Sequence, residues 1–181
     1  MGRSTMKNNY ESAEPILLTG TLTRRSLERA REEIERCSIC GQPVVLVINS
    51  DGGTLDATLE FISWIANEKI TRHLAISVKI YTASSAAAMI ALAISDNRSI
   101  ARDGEFRLHV GSITIDSADI GKNWVIANRF RRLLHTSRVT LFKLLSGTRL
   151  PSEKLSTLDS RGRLDIKPVE CVEYGICSAV F

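Results

Sequence analysis

The sequence predicts an α/β fold with a largely parallel sheet, and three observations carry that expectation. Val44-Val45-Leu46-Val47-Ile48 is a continuous β-branched run of the kind that fills a central strand covered on both faces, and the stretch 76–81 reads as a second buried strand. Each ends in small or turn-forming residues, Asn49-Ser50-Asp51-Gly52-Gly53 and Thr82-Ala83-Ser84-Ser85. A helical pattern follows each turn at once, and strand-turn-helix repeated in this order is a β-α unit that favours parallel strands.

The other elements follow along the chain. Residues 1–14 are polar and without periodicity, which predicts a flexible arm ahead of a single domain over 15–181. Pro15 opens the short apolar run Ile16-Leu17-Leu18-Thr19-Gly20, a strand closed by glycine. A helix over 26–36 carries Leu27, Ala30 and Ile34 at helical spacing, with Ser26 as a partial cap, and Gly41 and Pro43 end it. The first β-α unit returns as a helix over 54–67 with Leu55, Leu59, Ile62 and Ile65 on one face. The second returns as a small-residue helix over 86–94. Further strands are expected at Ile100-Ala101 and over 106–115, and the longest helical pattern covers 116–145, with Trp124, Ala127, Phe130, Leu134, Leu141 and Leu145 among its apolar positions. Gly147 stops it. A short helix over 168–174, capped by Gly175, precedes the apolar tail 176–181.

At 181 residues the chain suits one domain with a sizeable core, and its 44% hydrophobic and 24% charged residues are ordinary for a soluble globular protein. The net charge of +4 is not gathered into a stripe interleaved with aromatics. Arg129-Phe130-Arg131-Arg132 reads as a solvated helix face, so nucleic acid is not an expected partner. No apolar window of about 18 residues exists to span a membrane, and the start lacks the apolar run of a secretory signal, which predicts a cytoplasmic protein. Cys37-Ser38-Ile39-Cys40 has the spacing of half a zinc site, but Cys171 and Cys177 do not form a second tight pair. The four cysteines are therefore expected as free thiols, with no metal and no organic cofactor.

Chemistry is expected where the two β-α turns meet. A helix start leaves backbone N–H groups unpartnered and favours negative charge. Gly52-Gly53 lets a group approach the backbone closely, and Ser85 stands at the head of the small-residue helix. A serine there, with one N–H beside it and another from a glycine loop, combines a nucleophile with an oxyanion hole. His109 ends the strand-like Phe106-Arg107-Leu108 and so stands at the edge where α/β sheets carry their sites. His73 and His135 fall among polar neighbours and read as surface residues.

These segments, in this order, resemble the proteolytic subunit of Clp-type serine peptidases. Ile48-Asn49-Ser50-Asp51-Gly52-Gly53 is similar to that family's Ile-Asn-Ser-Pro-Gly-Gly motif. Ala83-Ser84-Ser85-Ala86-Ala87-Ala88 stands where the family has Ala-Ala-Ser-Met-Gly-Ala, and Arg107-Leu108-His109 where an apolar run ends in the catalytic histidine. Ile16-Leu17-Leu18-Thr19-Gly20, Leu144-Leu145-Ser146-Gly147-Thr148 and Val172-Glu173-Tyr174-Gly175-Ile176 extend the likeness over nearly the whole chain.

The resemblance implies a Clp protease/crotonase-like fold of repeated β-β-α or β-α units with a long protruding handle helix. It implies a serine endopeptidase acting through an acyl-enzyme, with Ser85 as nucleophile and His109 as general base. The backbone N–H groups of Gly53 and Ala86 would form the oxyanion hole. A shift of one residue would make Ser84 the nucleophile; the small-residue helix after Ser85 favours Ser85. Polypeptide substrates, stacked homo-oligomeric rings and an ATPase unfoldase are the implied partners. The family's triad acid falls on Arg163, or with one insertion on Gly162, and Asp165 and Asp159 are the nearest carboxylates. Asp51, Ala86-Ala87 and Val110 are further departures. A degenerate subunit that only assembles, and an acyl-CoA-binding protein of the crotonase type, are the alternatives.

Overall fold

The computed structural model describes residues 14–72, 74–94, 97–110 and 124–181. The expected arm lies outside the described residues except for Glu14, as do His73, the end of the strand expected to reach residue 115, and the first part of the long helix.

Among the described residues the protein is α/β, with six helices around a mixed sheet of six strands. The first strand, β1 (Ile16–Leu22), leads into α1 (Arg24–Ile39), then β2 (Val44–Gly53) and α2 (Leu55–Arg72). β3 (Ile76–Ser84), α3 (Ala86–Ile94) and β4 (Arg98–His109) follow. The chain ends with α4 (Trp124–Leu145), α5 (Ser152–Arg161), β5 (Arg163–Ile166), α6 (Pro168–Glu173) and β6 (Ala179–Val180). Strands β1 to β4 lie side by side in chain order and all parallel; β5 joins β4 antiparallel, and β6 pairs with the start of β4.

One row of side chains explains the core. Leu18, Ile48, Ile80 and Ile100 are in register across four strands, and none is more than 1% exposed. α3 packs on β2, β3 and β4, and all but one of its residues are buried, so alanines there bring the helix close to the sheet. The row between, Leu17–Val47–Lys79, points the other way, and Leu17 is exposed. The expectation of a second buried strand is thus corrected: β3 alternates, with Lys79 and Tyr81 exposed between Val78, Ile80 and Ala83.

Several boundaries move for identifiable reasons. α1 begins two residues before the expected start because Thr23 is the cap. Its hydroxyl accepts the Ser26 N–H at 3.2 Å while the Ser26 hydroxyl accepts the Thr23 N–H at 2.9 Å. Asn49–Gly53, read as a turn, continues β2 as strand, since Thr19, Thr21 and Leu22 of β1 pair with Asn49, Gly52 and Gly53. β4 is one strand where two were expected. Between Ile80 and Thr82 β3 advances two residues while β4 advances five, from Ile100 to Glu105, and the excess hides the continuity. A Cβ on Gly104 would lie 2.8 Å from the Ile100 side chain, so this fold of the strand admits no side chain there.

The long helix is anchored by its second half. Ser137, Leu141 and Leu145 are buried, and α4 meets α2 and α3; among residues 127–136 none is buried. No helix among the described residues is long and apolar enough to cross a membrane.

Candidate active site

Three elements converge on one point at the C-terminal ends of the parallel strands. Ser84 is the last residue of β3, buried and in register with Arg107. Ser85 follows in the turn before α3, half-buried and in the left-handed region at φ 57, the only non-glycine residue with positive φ among the described residues. A serine there costs about 1–3 kcal/mol relative to a relaxed backbone, and such strain concentrates at functional turns. The strained turn is held by a bond from the Ser85 N–H to the Arg107 carbonyl at 2.9 Å, and by the Ser85 carbonyl accepting the Met89 N–H at 3.2 Å. Ala86 is the first residue of α3, where the helix itself supplies no acceptor for the N–H.

Gly52 closes the site from β2. At φ 103 it lies where a Cβ would come within 2.8 Å of the Ser85 Cβ, 2.9 Å of the Ser84 carbonyl oxygen and 3.1 Å of the Ala86 nitrogen. Ser50 sets this approach: its buried hydroxyl donates to the Gly20 carbonyl at 2.5 Å and accepts the Gly52 N–H at 3.0 Å. Gly53 serves a different contact, since a Cβ there would stand 2.0 Å from the Leu22 carbonyl oxygen. Sequence reasoning chose the glycine pair but did not separate these two jobs.

His109 ends β4, two residues beyond the Arg107 carbonyl that holds Ser85, a strand advance of about 7 Å. Alternation gives Phe106, Leu108, Leu164 and Ile166 to the core and leaves Arg107, His109, Arg163 and Asp165 on the other face. Arg163 is directly across from His109, and Asp165 across from Arg107.

The Asp165 carboxylate accepts from Arg107 Nε at 2.6 Å and from Arg163 Nε at 3.0 Å. Partial burial works to raise its carboxyl, and the hydrogen bonds and charges of the two arginines outweigh that, leaving it below its ordinary value. Arg107 is raised in turn, chiefly by its hydrogen bond to Asp165, with Glu105 and Asp51 adding to the same effect. Asp159 pairs instead with Arg138 of the long helix. The two carboxylates nearest the expected acid position are thus both held by arginines, and among the described residues His109 has no hydrogen-bonded carboxylate. Arg107 was missed as part of the site. Its position two residues before His109 was the available signal, because that spacing in a strand places both on one face.

The four cysteines are free, and no group of three His, Cys, Asp or Glu among the described residues is placed to hold a metal ion. Compared with known proteins, the chain matches no family model and no curated protein.

Proposed function

We propose that this chain is a Clp-like serine peptidase subunit of the Clp protease/crotonase-like fold, cleaving peptide bonds through an acyl-enzyme. The observation that carries the reading is the strained Ser85 at the β3–α3 turn, packed against the bare backbone of Gly52. A left-handed residue between a strand and a helix lifts its hydroxyl away from both, and helix α3 begins with the Ala86 N–H beside it. Ser85 Oγ attacks the carbonyl carbon of the substrate while His109 takes the hydroxyl proton. The N–H groups of Ala86 and Gly53 stabilise the oxyanion. The proton then passes from His109 to the leaving amine, and water, activated by the same histidine, releases the acyl group and restores Ser85. Ser84 fits the role less well, because it is buried within β3.

A homo-oligomeric ring with α4 as the handle between rings, serving an ATPase unfoldase in the cytoplasm, belongs to the same reading. It is supported by the unburied residues 127–136 of α4. A second reading has its own observation. Arg163 faces His109 where a triad acid would stand, and Asp165 is held by two arginines. A serine–histidine pair without its acid loses orders of magnitude in rate, which would suit a subunit retained for assembly. A fluorophosphonate probe separates the two: the active subunit is labelled, Ser85→Ala abolishes the label and Ser84→Ala leaves most of it. An assembled protein that takes no label supports the non-catalytic subunit.

A further inference from the structure

The proposed peptidase chemistry makes no use of two buried thiols at the end of α6. Gly175, at φ 69, closes that helix in a Schellman turn: its N–H donates to the Val172 carbonyl at 3.1 Å, and the Ile176 N–H donates to the Cys171 carbonyl at 2.8 Å. The turn carries the chain back over the helix, so that the Cys177 N–H reaches the same Cys171 carbonyl at 2.9 Å. Two residues joined backbone to backbone in this way have Cα atoms within the roughly 4.4–6.8 Å span that a disulfide bridges. Both thiols are free, with Cys171 fully buried and Cys177 4% exposed.

Their surroundings divide the two roles. The Cys171 thiol donates to the Ile166 carbonyl at 3.9 Å, which engages its proton, and the mutual influence of the two close thiols pushes Cys171 up and draws Cys177 down. Burial works against Cys177 ionising, and the buried Arg98 guanidinium favours it. That guanidinium is fixed by the carbonyls of Ile176 and Leu92. Cys177 is accordingly the nucleophilic sulfur, and Cys171 keeps its proton until the second step.

We propose that Cys171 and Cys177 are a redox-active dithiol that hydrogen peroxide converts to an intramolecular disulfide. The Cys177 thiolate attacks one peroxide oxygen; the O–O bond breaks, hydroxide leaves and is protonated to water, and Cys177 becomes a sulfenic acid. The Cys171 sulfur then displaces the hydroxyl, so that an S–S bond replaces the S–O bond and a second water departs with the Cys171 proton. Two thiols and one peroxide give one disulfide and two waters, with two electrons passing from sulfur to oxygen. The bond ties α6 to the segment that runs into β6, where the Ser178 N–H donates to the Arg98 carbonyl at 2.7 Å and the Phe181 N–H to the Ile100 carbonyl at 2.9 Å.

The experiment treats the full chain with hydrogen peroxide, alkylates the remaining thiols with iodoacetamide and weighs the digested peptides. The C-terminal peptide, which holds both cysteines, should lose two hydrogens and take no alkyl group, and a dithiol reductant should reverse the change. In Cys177→Ser, Cys171 should stay alkylatable; in Cys171→Ser, oxidation should stop at a Cys177 sulfenic acid that dimedone traps. The unsubstituted protein decides the question whether or not the variants fold. Two alkylated thiols in its C-terminal peptide, at a peroxide dose that oxidises the exposed Cys40, overturn the proposal. Equal oxidation of Cys171 in Cys177→Ser overturns the division of roles.

Discussion

Replacing Gly52 by alanine should disturb the fold and the site together, by an amount that the geometry sets. At φ 103 an alanine is strained, at about 1–3 kcal/mol. Its methyl would also lie 2.8 Å from the Ser85 Cβ, 2.9 Å from the Ser84 carbonyl oxygen and 3.1 Å from the Ala86 nitrogen. None of these is the end of a flexible side chain, so the turn itself must shift, at about 1–3 kcal/mol for overpacking. The sum, about 2–6 kcal/mol, lowers a urea midpoint by about 1–3 M at a slope of about 2 kcal/mol per M. Gly41→Ala is the control, since φ 64 carries the left-handed cost of about 1–2 kcal/mol with nothing within 4 Å of the added Cβ. Under conditions where Gly52→Ala remains folded, the reactivity of Ser85 should fall as well, whereas Gly41→Ala should leave it unchanged. Equal urea midpoints for the two variants would refute the close approach of β2 to the Ser85 turn.

Other expectations follow from the same site and its surroundings. Arg163→Asp places a carboxylate opposite His109 and should raise turnover of a fluorogenic peptide at least about tenfold, with Arg163→Gln as the control for losing the cation. Equal rates in the two variants would show that the missing acid is not what limits His109. Asp165 and Glu170 are held below their ordinary values, Glu170 first by the Lys167 N–H, so their stabilisation is complete above about pH 4.5, the unfolded range, and is lost as pH falls through the lowered values. Urea midpoints measured from pH 6 down to pH 2 should show this decline, with less of it in Asp165→Asn; a flat profile would contradict it. In sedimentation the protein should run far above a 20.0 kDa monomer, and a clean monomer at micromolar concentration would contradict the handle role proposed for α4.

The fold was legible where local pattern and tertiary need agree. The residues from Ala86 to Ile94 form the helix expected of them, and Leu27, Ala30 and Ile34 face the core. Asp165, which alternates with Leu164 and Ile166 in the sequence, is exposed between those two buried neighbours. What eluded the sequence is set by partners distant in the chain. Asn49 to Gly53 look like a turn until β1 pairs with them, and Asp103-Gly104 reads as a break until β3 pairs with β4 on both sides of it. At the candidate site, the glycine pair was legible because a close approach admits no side chain, whereas the left-handed backbone of Ser85 was not, since serine is not the residue that such a turn favours. The pairing of Asp165 with Arg107 was not, since it depends on the antiparallel register of β5 against β4.

Covalent capture by a fluorophosphonate, its position and rate read by peptide mapping on the assembled protein, tests the Ser85–His109 chemistry at its source. One adduct is expected, on Ser85, absent from Ser85→Ala and largely kept in Ser84→Ala. Labelling should slow on the order of 10²–10⁴-fold in His109→Ala, through loss of the general base. An adduct on Ser84, or labelling of Ser85 at the same rate with and without His109, would contradict that chemistry.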